Sequence, residues 1–138
     1  WELADVLGSQ AIVLSVEAQR MKDGEWQAFC NNGREPTGRD VLAWIEEACS
    51  LGIGEVLVTS IANEGMNKGF DLDLLQAIGK IATVPVIASG GYGNSGHGIE
   101  CLSIEGIDAM TVAGSLHFDR QTIPEIKSDL RNAGIAVR

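Results

Sequence analysis

Two glycine-rich segments in the second half of the sequence have the composition of anion-binding loops. Ser89-Gly90-Gly91 follows the apolar run 84–88, and Gly114-Ser115 follows the apolar run 109–113. Main-chain N–H groups in such loops can point at an anion, and glycine allows a close approach that a Cβ would block. We therefore predict that the two loops together bind one phosphate group. The alternative is that the glycines only permit tight turns from strand to helix.

Polar side chains at the ends of two earlier apolar runs are further candidates for chemistry. Glu17 closes the run 11–17, where a carboxylate would point into the mouth of a sheet and could act as an acid or base. Thr59 ends the next run and could donate to a ligand, and the loop after it carries Glu64 and Gly65, with Glu64 able to bind a substrate hydroxyl. The alternatives are solvated charges for both glutamates and a local backbone partner for Thr59.

The cysteines and histidines form no pattern that indicates a metal site or a nucleophile relay. Cys30, Cys49 and Cys101 are widely spaced, without the CxxC pair or Cys/His cluster that is typical of zinc sites. We interpret them as free thiols and expect neither a metal nor a cofactor. His117 lies in an apolar turn and is expected to pack, whereas His97, near a helix start, is expected to be solvated.

Composition and charge narrow the class of protein. The 138 residues are 45% hydrophobic and 21% charged, with a formal net charge of −9, which suits one domain with a real core. An acidic chain lacks the clustered Lys and Arg that nucleic acids require, and no apolar run approaches the roughly 20 residues that span a bilayer. We therefore expect a cytoplasmic protein that binds neither nucleic acid nor membrane.

Hydrophobic periodicity predicts four strand–helix units. The apolar runs predict strands at 11–17, 55–61, 84–88 and 109–113, the first of them buried on both faces as parallel sheets require. Helices are predicted at 1–8 (the tail of a helix), from an N-cap at Thr37 to Gly52, through 74–81, over 96–104 and from about 122 to 134. Turn signals in 21–37 predict a small β-hairpin.

Alternating strands and helices favour a parallel sheet with right-handed crossovers. Two α/β architectures fit: an open doubly wound sheet, which the chain length favours, and part of a (β/α)₈ barrel, which closes at about 250 residues. The loops favour the barrel, because barrels carry their working residues after the strands and commonly bind phosphate after strands seven and eight. Glu55, at the other end of the second strand, would then lie on the barrel floor.

The residues that carry these signals resemble the C-terminal half of the cyclase subunit of imidazole glycerol phosphate synthase, the HisF family. The likeness follows the chain in order and covers essentially all of it. The similar segments are 8–13, 23–26, 37–38, 54–61, 64–65, 69–71, 86–91 and 114–118.

The resemblance implies strands five to eight of a TIM barrel, with residues 1–138 forming a partial barrel domain whose N-terminal half lies outside the sequence. It implies a lyase of histidine biosynthesis that takes ammonia from a glutaminase subunit in a heterodimer. The enzyme cyclises a bisphosphorylated nucleotide to imidazole glycerol phosphate and an aminoimidazole carboxamide ribotide. Glu17 falls on one of the family's two catalytic acids, and Glu55 on its ammonia gate. The implied phosphate site is Gly91, Gly114 and Ser115, with Glu64 and Gly65 nearby.

Three residues at the ends of the predicted strands, where the family has its active site, depart from the family pattern. Glu17 and Ala62 stand where the family has aspartates, and Gln19 stands where it has a lysine. Two other functions therefore stay open: a HisF-like protein that channels ammonia for amidation of bacterial surface sugars, and a phosphate-binding half-barrel without chemistry of its own. Because the family's second acid lies outside this sequence, we expect the chain alone to be catalytically inactive.

Overall fold

The computed structural model of the protein describes residues 2–137, so that Trp1, predicted to begin the first helix, lies outside the described residues. The strands are β1 (Val13–Arg20), β2 (Trp26–Cys30), β3 (Glu35–Asp40), β4 (Glu55–Ser60), β5 (Val86–Ser89) and β6 (Ala109–Met110). The helices are α1 (Glu2–Leu7), α2 (Val41–Ser50), α3 (Leu72–Gly79), α4 (Ser95–Leu102), α5 (Gly114–His117) and α6 (Ile123–Asn132).

The strands form one mixed sheet of six in the order β3-β2-β1-β4-β5-β6. β1, β4, β5 and β6 are parallel, and each is followed by a helix before the next parallel strand begins. The predicted hairpin is confirmed as β2 and β3, which extend the sheet antiparallel to β1, although β3 runs on to Asp40. The fold is therefore α/β with a sheet that is mostly parallel.

The helices pack against one face of this sheet. Val16, Val58 and Ala88 lie opposite one another on neighbouring strands, and all three are buried. The helix residues in the same core cluster include Ile45, Leu74, Ile78, Cys101 and Ile126. A doubly wound sheet carries helices on both faces, whereas a barrel carries them on its outer face. The arrangement is thus that of part of a barrel.

Burial along the strands corrects one prediction. The first strand was expected to be buried on both faces, but in β1 buried and more exposed residues alternate, and the same is true of β4 and β5. Val13, on the face opposite the helices, is 48% exposed. The prediction is wrong for the described residues because their helices cover only one face. β1 also starts later than predicted, because Ser9–Ala11 form a 3₁₀ turn.

Side-chain caps lie at the starts of α2, α3, α4 and α6, and two of them test the predicted helix starts. Asp40 accepts a hydrogen bond of 2.8 Å from the Ala43 N–H and caps α2, so the predicted cap at Thr37 is wrong. Thr37 lies in β3 instead, where its hydroxyl donates to the carbonyl of Ala28. The predicted start of the last helix is confirmed: Thr122 and Glu125 form a reciprocal capping box, and these hydrogen bonds lower the pKa of Glu125.

The fourth parallel strand is shorter than its apolar run predicts. β6 comprises only Ala109–Met110, and residues 111–113 are irregular before α5 begins. The chain therefore leaves the sheet early at this point, and contacts other than strand pairing must position the residues that follow. Between residues 2 and 137, no helix has both the length and the apolar character needed to cross a membrane.

The three cysteines, which are all free thiols, differ strongly in environment. We predict that a thiol reagent at pH 8 modifies exposed Cys30 first, half-buried Cys49 more slowly, and Cys101 only after unfolding. Burial raises the pKa of the Cys101 thiol to about 12, so the reactive thiolate is scarce in the folded protein. Labelling followed by peptide mass spectrometry, with and without urea, checks the order. Reaction of Cys101 as fast as Cys30 without urea would contradict it.

Candidate functional site

The two predicted glycine loops border one cleft at the carboxyl ends of the parallel strands, with a volume of about 170 Å³. Six of the predicted site residues line it: Glu64, Gly65, Ser89, Gly90, Gly91 and Gly114. A larger groove of about 1040 Å³ runs beside β6 and α6, but it contains none of the predicted residues. The chemistry therefore points to the smaller cleft.

The first loop needs glycine at both positions. Gly90 and Gly91 have φ angles of 92° and 108°, a region that side chains rarely adopt. A Cβ at Gly90 would lie 2.8 Å from the carbonyl oxygen of Ser60, and one at Gly91 would overlap the carbonyl oxygen of Gly69. Neither glycine N–H donates a hydrogen bond to any residue in the described range. Both donors are thus available to a ligand in the cleft.

The second loop supplies the start of a short helix. Gly114 begins α5, and its N-cap residue, Ala113, provides no side-chain hydrogen bond to the first turn. Ser115 is fully buried, and its hydroxyl donates to the carbonyl of Gly93 over 3.3 Å. The Ser115 side chain therefore links the two loops, and only its main chain remains suitable for binding a phosphate.

Glu64 places a negative charge at the rim of the cleft. Its side chain is exposed, and its Oε2 lies 3.2 Å from where a Cβ of Gly90 would be. A carboxylate at this position would repel a phosphate and attract a hydroxyl or ammonium group. Glu64 therefore suits the part of a substrate next to the phosphate, as the sequence predicts.

Two other predicted residues, Glu17 and Thr59, form a row with Ser89 across the uncovered face of the sheet. Glu17 lies opposite Thr59 on β4, and Thr59 lies opposite Ser89 on β5. Adjacent strands are about 4.8 Å apart, so the backbones of Glu17 and Ser89 are separated by roughly 10 Å. The row runs from Glu17 to Ser89, and of its three residues only Ser89 lines the cleft.

Glu17 is engaged with the hairpin. Its Oε2 accepts a hydrogen bond of 2.7 Å from the N–H of Gly33, which follows β2. Asn31, Asn32 and Gly33 all have positive φ, and a Cβ at Gly33 would lie 3.1 Å from the Ile61 side chain. Glu17 therefore fastens a tightly wound turn beside the mouth of the sheet. The Glu17 carboxylate thus already accepts a hydrogen bond from the protein, whether or not it also acts as an acid or base.

The remaining predicted residues lie away from the cleft or serve it indirectly. Glu55 begins β4, at the opposite end of the strand from Thr59. His97 is half-buried, and its Nδ1 accepts from the N–H of Gly93, so the prediction of a solvated ring is wrong. His117 is exposed and packs edge-on against Phe118. The described residues contain no group of three or more potential metal ligands.

Sequence reasoning missed several residues of the cleft, namely Asn67, Tyr92, Thr111, Ala113 and Phe118. Thr111 follows Met110, which pairs with Ala88, and so continues the row of hydroxyls at the strand ends. Strand register could have found it. Tyr92 follows directly after the glycine pair and is only 6% exposed, whereas nothing in the sequence around Asn67 indicates a role.

Parallel strands with helices on one face, and a cleft formed by the loops after the strands, define a protein of the TIM-barrel class. A sequence model of the family described as "Histidine biosynthesis protein" matches residues 1–122, and the chain belongs to this family.

Three curated relatives share the name imidazole glycerol phosphate synthase subunit HisF. They come from Streptococcus sanguinis (40% identical), Symbiobacterium thermophilum (42%) and Streptococcus gordonii (39%). Each match covers 99% of this chain and 54% of the relative. The chain thus spans about half the length of the curated relatives that it matches.

The contact between Glu17 and Gly33 can be tested by substitution. We predict that Glu17→Ala lowers the free energy of unfolding by about 1 kcal/mol, because the Gly33 N–H loses a charged acceptor. Glu17→Gln keeps an acceptor oxygen and should lose less. Gly33→Ala should lose more than Gly24→Ala, because both residues have positive φ but only Gly33 has a neighbouring side chain.

Urea unfolding of the four variants and the parent measures these differences. Gly24→Ala is the matched control, since it carries the same backbone strain in open space. Equal stability of Glu17→Ala, Glu17→Gln and the parent would show that the hydrogen bond contributes nothing.

Proposed function

We propose that this chain binds a phosphate group of a small-molecule substrate as part of a cyclase of the imidazole glycerol phosphate synthase type. The observation that carries the proposal is the cleft between the two glycine loops. There the N–H groups of Gly90 and Gly91 have no protein acceptor within the described residues, and the uncapped start of α5 faces the same space. Main-chain donors converging from two strand ends are the usual way in which a barrel holds a phosphate.

The proposal places β1, β4, β5 and β6 as strands five to eight of a (β/α)₈ barrel. Two features of the sheet support this placement. β2 pairs only with the second half of β1, so that Val13–Val16 have no neighbour on that side among residues 2–137, and the outer edge of β6 is likewise unpaired there. Additional parallel strands could join both edges and enclose the face that carries Glu17, Thr59 and Ser89.

The reaction in this proposal is that of the relatives' family. Ammonia from a glutaminase subunit would enter at the floor, where Glu55 lies, and reach the mouth, where Glu17 supplies one of two carboxylates. The phosphate cleft would hold one end of the substrate, with Glu64 facing its polar groups. The relatives are named as subunits of a synthase, which supports a partner protein. We propose no cofactor, and a cytoplasmic location stays a prediction.

One observation favours a second candidate function, ammonia channelling for amidation of surface sugars. Glu17 is one methylene longer than the family's aspartate, and its carboxylate is held by the N–H of Gly33. A displacement of about 1 Å in a catalytic group can reduce a rate about 100-fold. In this second candidate function the cleft would still bind phosphate and ammonia would still enter at the barrel floor near Glu55. Only the acid–base chemistry at Glu17 would differ.

Phosphate binding is the first test. We predict that inorganic phosphate and glycerol 3-phosphate bind the chain. Isothermal titration calorimetry and the chemical-shift changes of the glycine amides in two-dimensional NMR spectra measure this binding. Gly114→Asp should weaken binding at least fivefold, since like charges about 4 Å apart repel by about 1 kcal/mol even in water. Gly114 has no positive φ and no close neighbour, so the variant should fold.

The controls separate charge from shape. Gly114→Ala adds a Cβ without charge and should bind nearly as well as the parent. Ser128→Asp adds the same charge at an exposed position of α6 and should have no effect. No binding by the parent would refute the proposed site, and unchanged binding by Gly114→Asp would place the phosphate elsewhere.

Activity is the second test. We predict no ammonia-dependent cyclisation by this chain alone, because only one of the family's two acids falls within it. Co-expression with the N-terminal half of the Symbiobacterium relative should restore growth of a histidine auxotroph if the cyclase proposal is right. Growth that appears only with Glu17→Asp would favour the amidation candidate for the parent chain. Turnover by the chain alone would contradict the prediction.

A further inference from the structure

The sheet holds the two halves of the phosphate cleft together only as far as Thr111, whose N–H donates to the carbonyl of Ala88 over 2.8 Å. β5 and β6 share only two paired positions, and the chain is irregular from 111 to 113 before Gly114 begins α5. The first loop, by contrast, leaves β5 directly. A bound phosphate needs main-chain N–H groups from both loops at fixed separation, so contacts beyond the sheet contribute to the distance between them.

Gln121 contacts both sides of the cleft. Its Oε1 accepts a hydrogen bond of 2.9 Å from the hydroxyl of Tyr92, the residue directly after Gly91. Its main-chain N–H donates to the carbonyl of Ser115 over 3.3 Å, beside a bond of 2.9 Å from the N–H of Arg120 to the same oxygen. One residue thus joins the first loop through its side chain and the second loop through its backbone.

Two further hydrogen bonds complete this arrangement. The Ser115 hydroxyl donates back to the carbonyl of Gly93, which closes a ring through both loops. Gln121 Nε2 donates to Ser95 Oγ over 2.8 Å, and that hydroxyl donates to Asp129 Oδ2 over 2.6 Å, which ties the ring to α4 and α6. We name the contacts of Tyr92, Gln121, Ser95 and Asp129 the Gln121 bridge.

The Gln121 bridge needs an amide at its centre. Tyr92 donates and Ser95 accepts from Gln121, so the middle group must accept on one side and donate on the other, as an uncharged amide does. Tyr92 and Ser95 are 6% and 8% exposed, and the Tyr92 ring packs edge-on against Phe70. Burial raises the pKa of Tyr92, reinforced by the charge of Asp129, so the phenol remains a donor.

We infer that Gln121 is a positioning residue for phosphate binding, which sets the spacing between the first glycine loop and the start of α5. Gln121 lies outside the residues that line the cleft, so it acts on a ligand through the two loops. The inference rests on the proposed phosphate site. The inference goes beyond that site because it assigns the spacing of the two loops to Gln121, which does not line the cleft.

The experiment titrates inorganic phosphate into the full chain while following the amide signals of Gly90 and Gly91 in one loop and Gly114 in the other. In the parent, the three amides should shift together with a single Kd. Gln121→Met keeps the side-chain length and removes both side-chain hydrogen bonds. It should weaken binding about tenfold, equivalent to about 1.4 kcal/mol. At saturation the Gly114 amide should shift less than in the parent, relative to the Gly90 and Gly91 amides, because the start of α5 is no longer held beside the phosphate.

Two companion variants separate positioning from a loss of stability. Tyr92→Phe keeps the packed ring and the bond from Gln121 to Ser95 but removes the bond from the Tyr92 hydroxyl to Gln121. It should therefore weaken binding less than Gln121→Met, and it serves if that variant does not fold. Gln76→Met makes the same change at an exposed position of α3 and should bind like the parent. All titrations are made well below the melting temperature of each variant.

The outcomes distinguish this inference from the proposed function. A parent that shows no phosphate-dependent shifts refutes the site itself, and with it the inference. If the parent binds, and both Gln121→Met and Tyr92→Phe bind with unchanged affinity and unchanged relative shifts of the two loops, the site stands and the positioning role is wrong. Loss of coupling between the loops in folded Gln121→Met is the signature that a merely stabilising residue would not produce.

Discussion

The main chains of Gly69 and Gly91 approach so closely that the loop after β4 and the loop after β5 act as one structure. The N–H of Gly69 donates to the carbonyl of Gly91 over 2.9 Å, and a side chain at Gly91 would overlap the Gly69 carbonyl. Asn63 donates to that same carbonyl over 2.8 Å. The contact holds Glu64 on one side of the cleft and the N–H groups of the glycine pair on the other.

The contact between Gly69 and Gly91 is also followed directly by residues that pack in the core and cap α3. Directly after Gly69, Phe70 turns into the core, and Asp71 caps α3 through the N–H of Leu74. The other carboxylate oxygen of Asp71 accepts from the indole of Trp26 over 3.1 Å, which joins the hairpin to α3. One close approach of two glycines therefore connects the cleft, the core and the hairpin that carries Gly33. A larger residue at Gly91 would have to displace the main chain of Gly69.

How much of this could be predicted depends on whether the signal is local. Strands, helices and the glycine loops follow from short patterns, and these were confirmed to within a few residues. The cap at Asp40 was missed because Thr37, three residues earlier, is an equally good capping residue, and only the extent of β3 decides between them. One-sided burial of β1 could not be read from its apolar run, because it depends on which elements cover the sheet.

The residues of the candidate site also divide into those that a local sequence signal predicts and those that only tertiary contacts reveal. Six cleft residues were predicted because glycines and polar residues after apolar runs are local signals. The bond from Gly33 to Glu17 joins residues sixteen apart. The turn signal at Asn31-Asn32-Gly33 predicts the turn, but no local pattern predicts which side chain accepts from the Gly33 N–H. Gln121 lies in a polar stretch before α6 without any motif around it. Its importance comes entirely from tertiary contacts with Tyr92, Ser95 and Ser115.

The charge of the chain explains why a phosphate site here should be built from backbone. With a net charge of −9, the protein repels anions at long range, and among residues 2–137 no Lys or Arg lines the cleft. Main-chain N–H groups are fixed dipoles that need no reorganisation when the anion arrives, so their geometry decides the affinity. A site of this kind is sensitive to the spacing of its loops, where a flexible lysine would adapt. The proposed site therefore depends on rigid connections such as Gly69 to Gly91, and the role inferred for the Gln121 bridge is to supply such a connection between the loops.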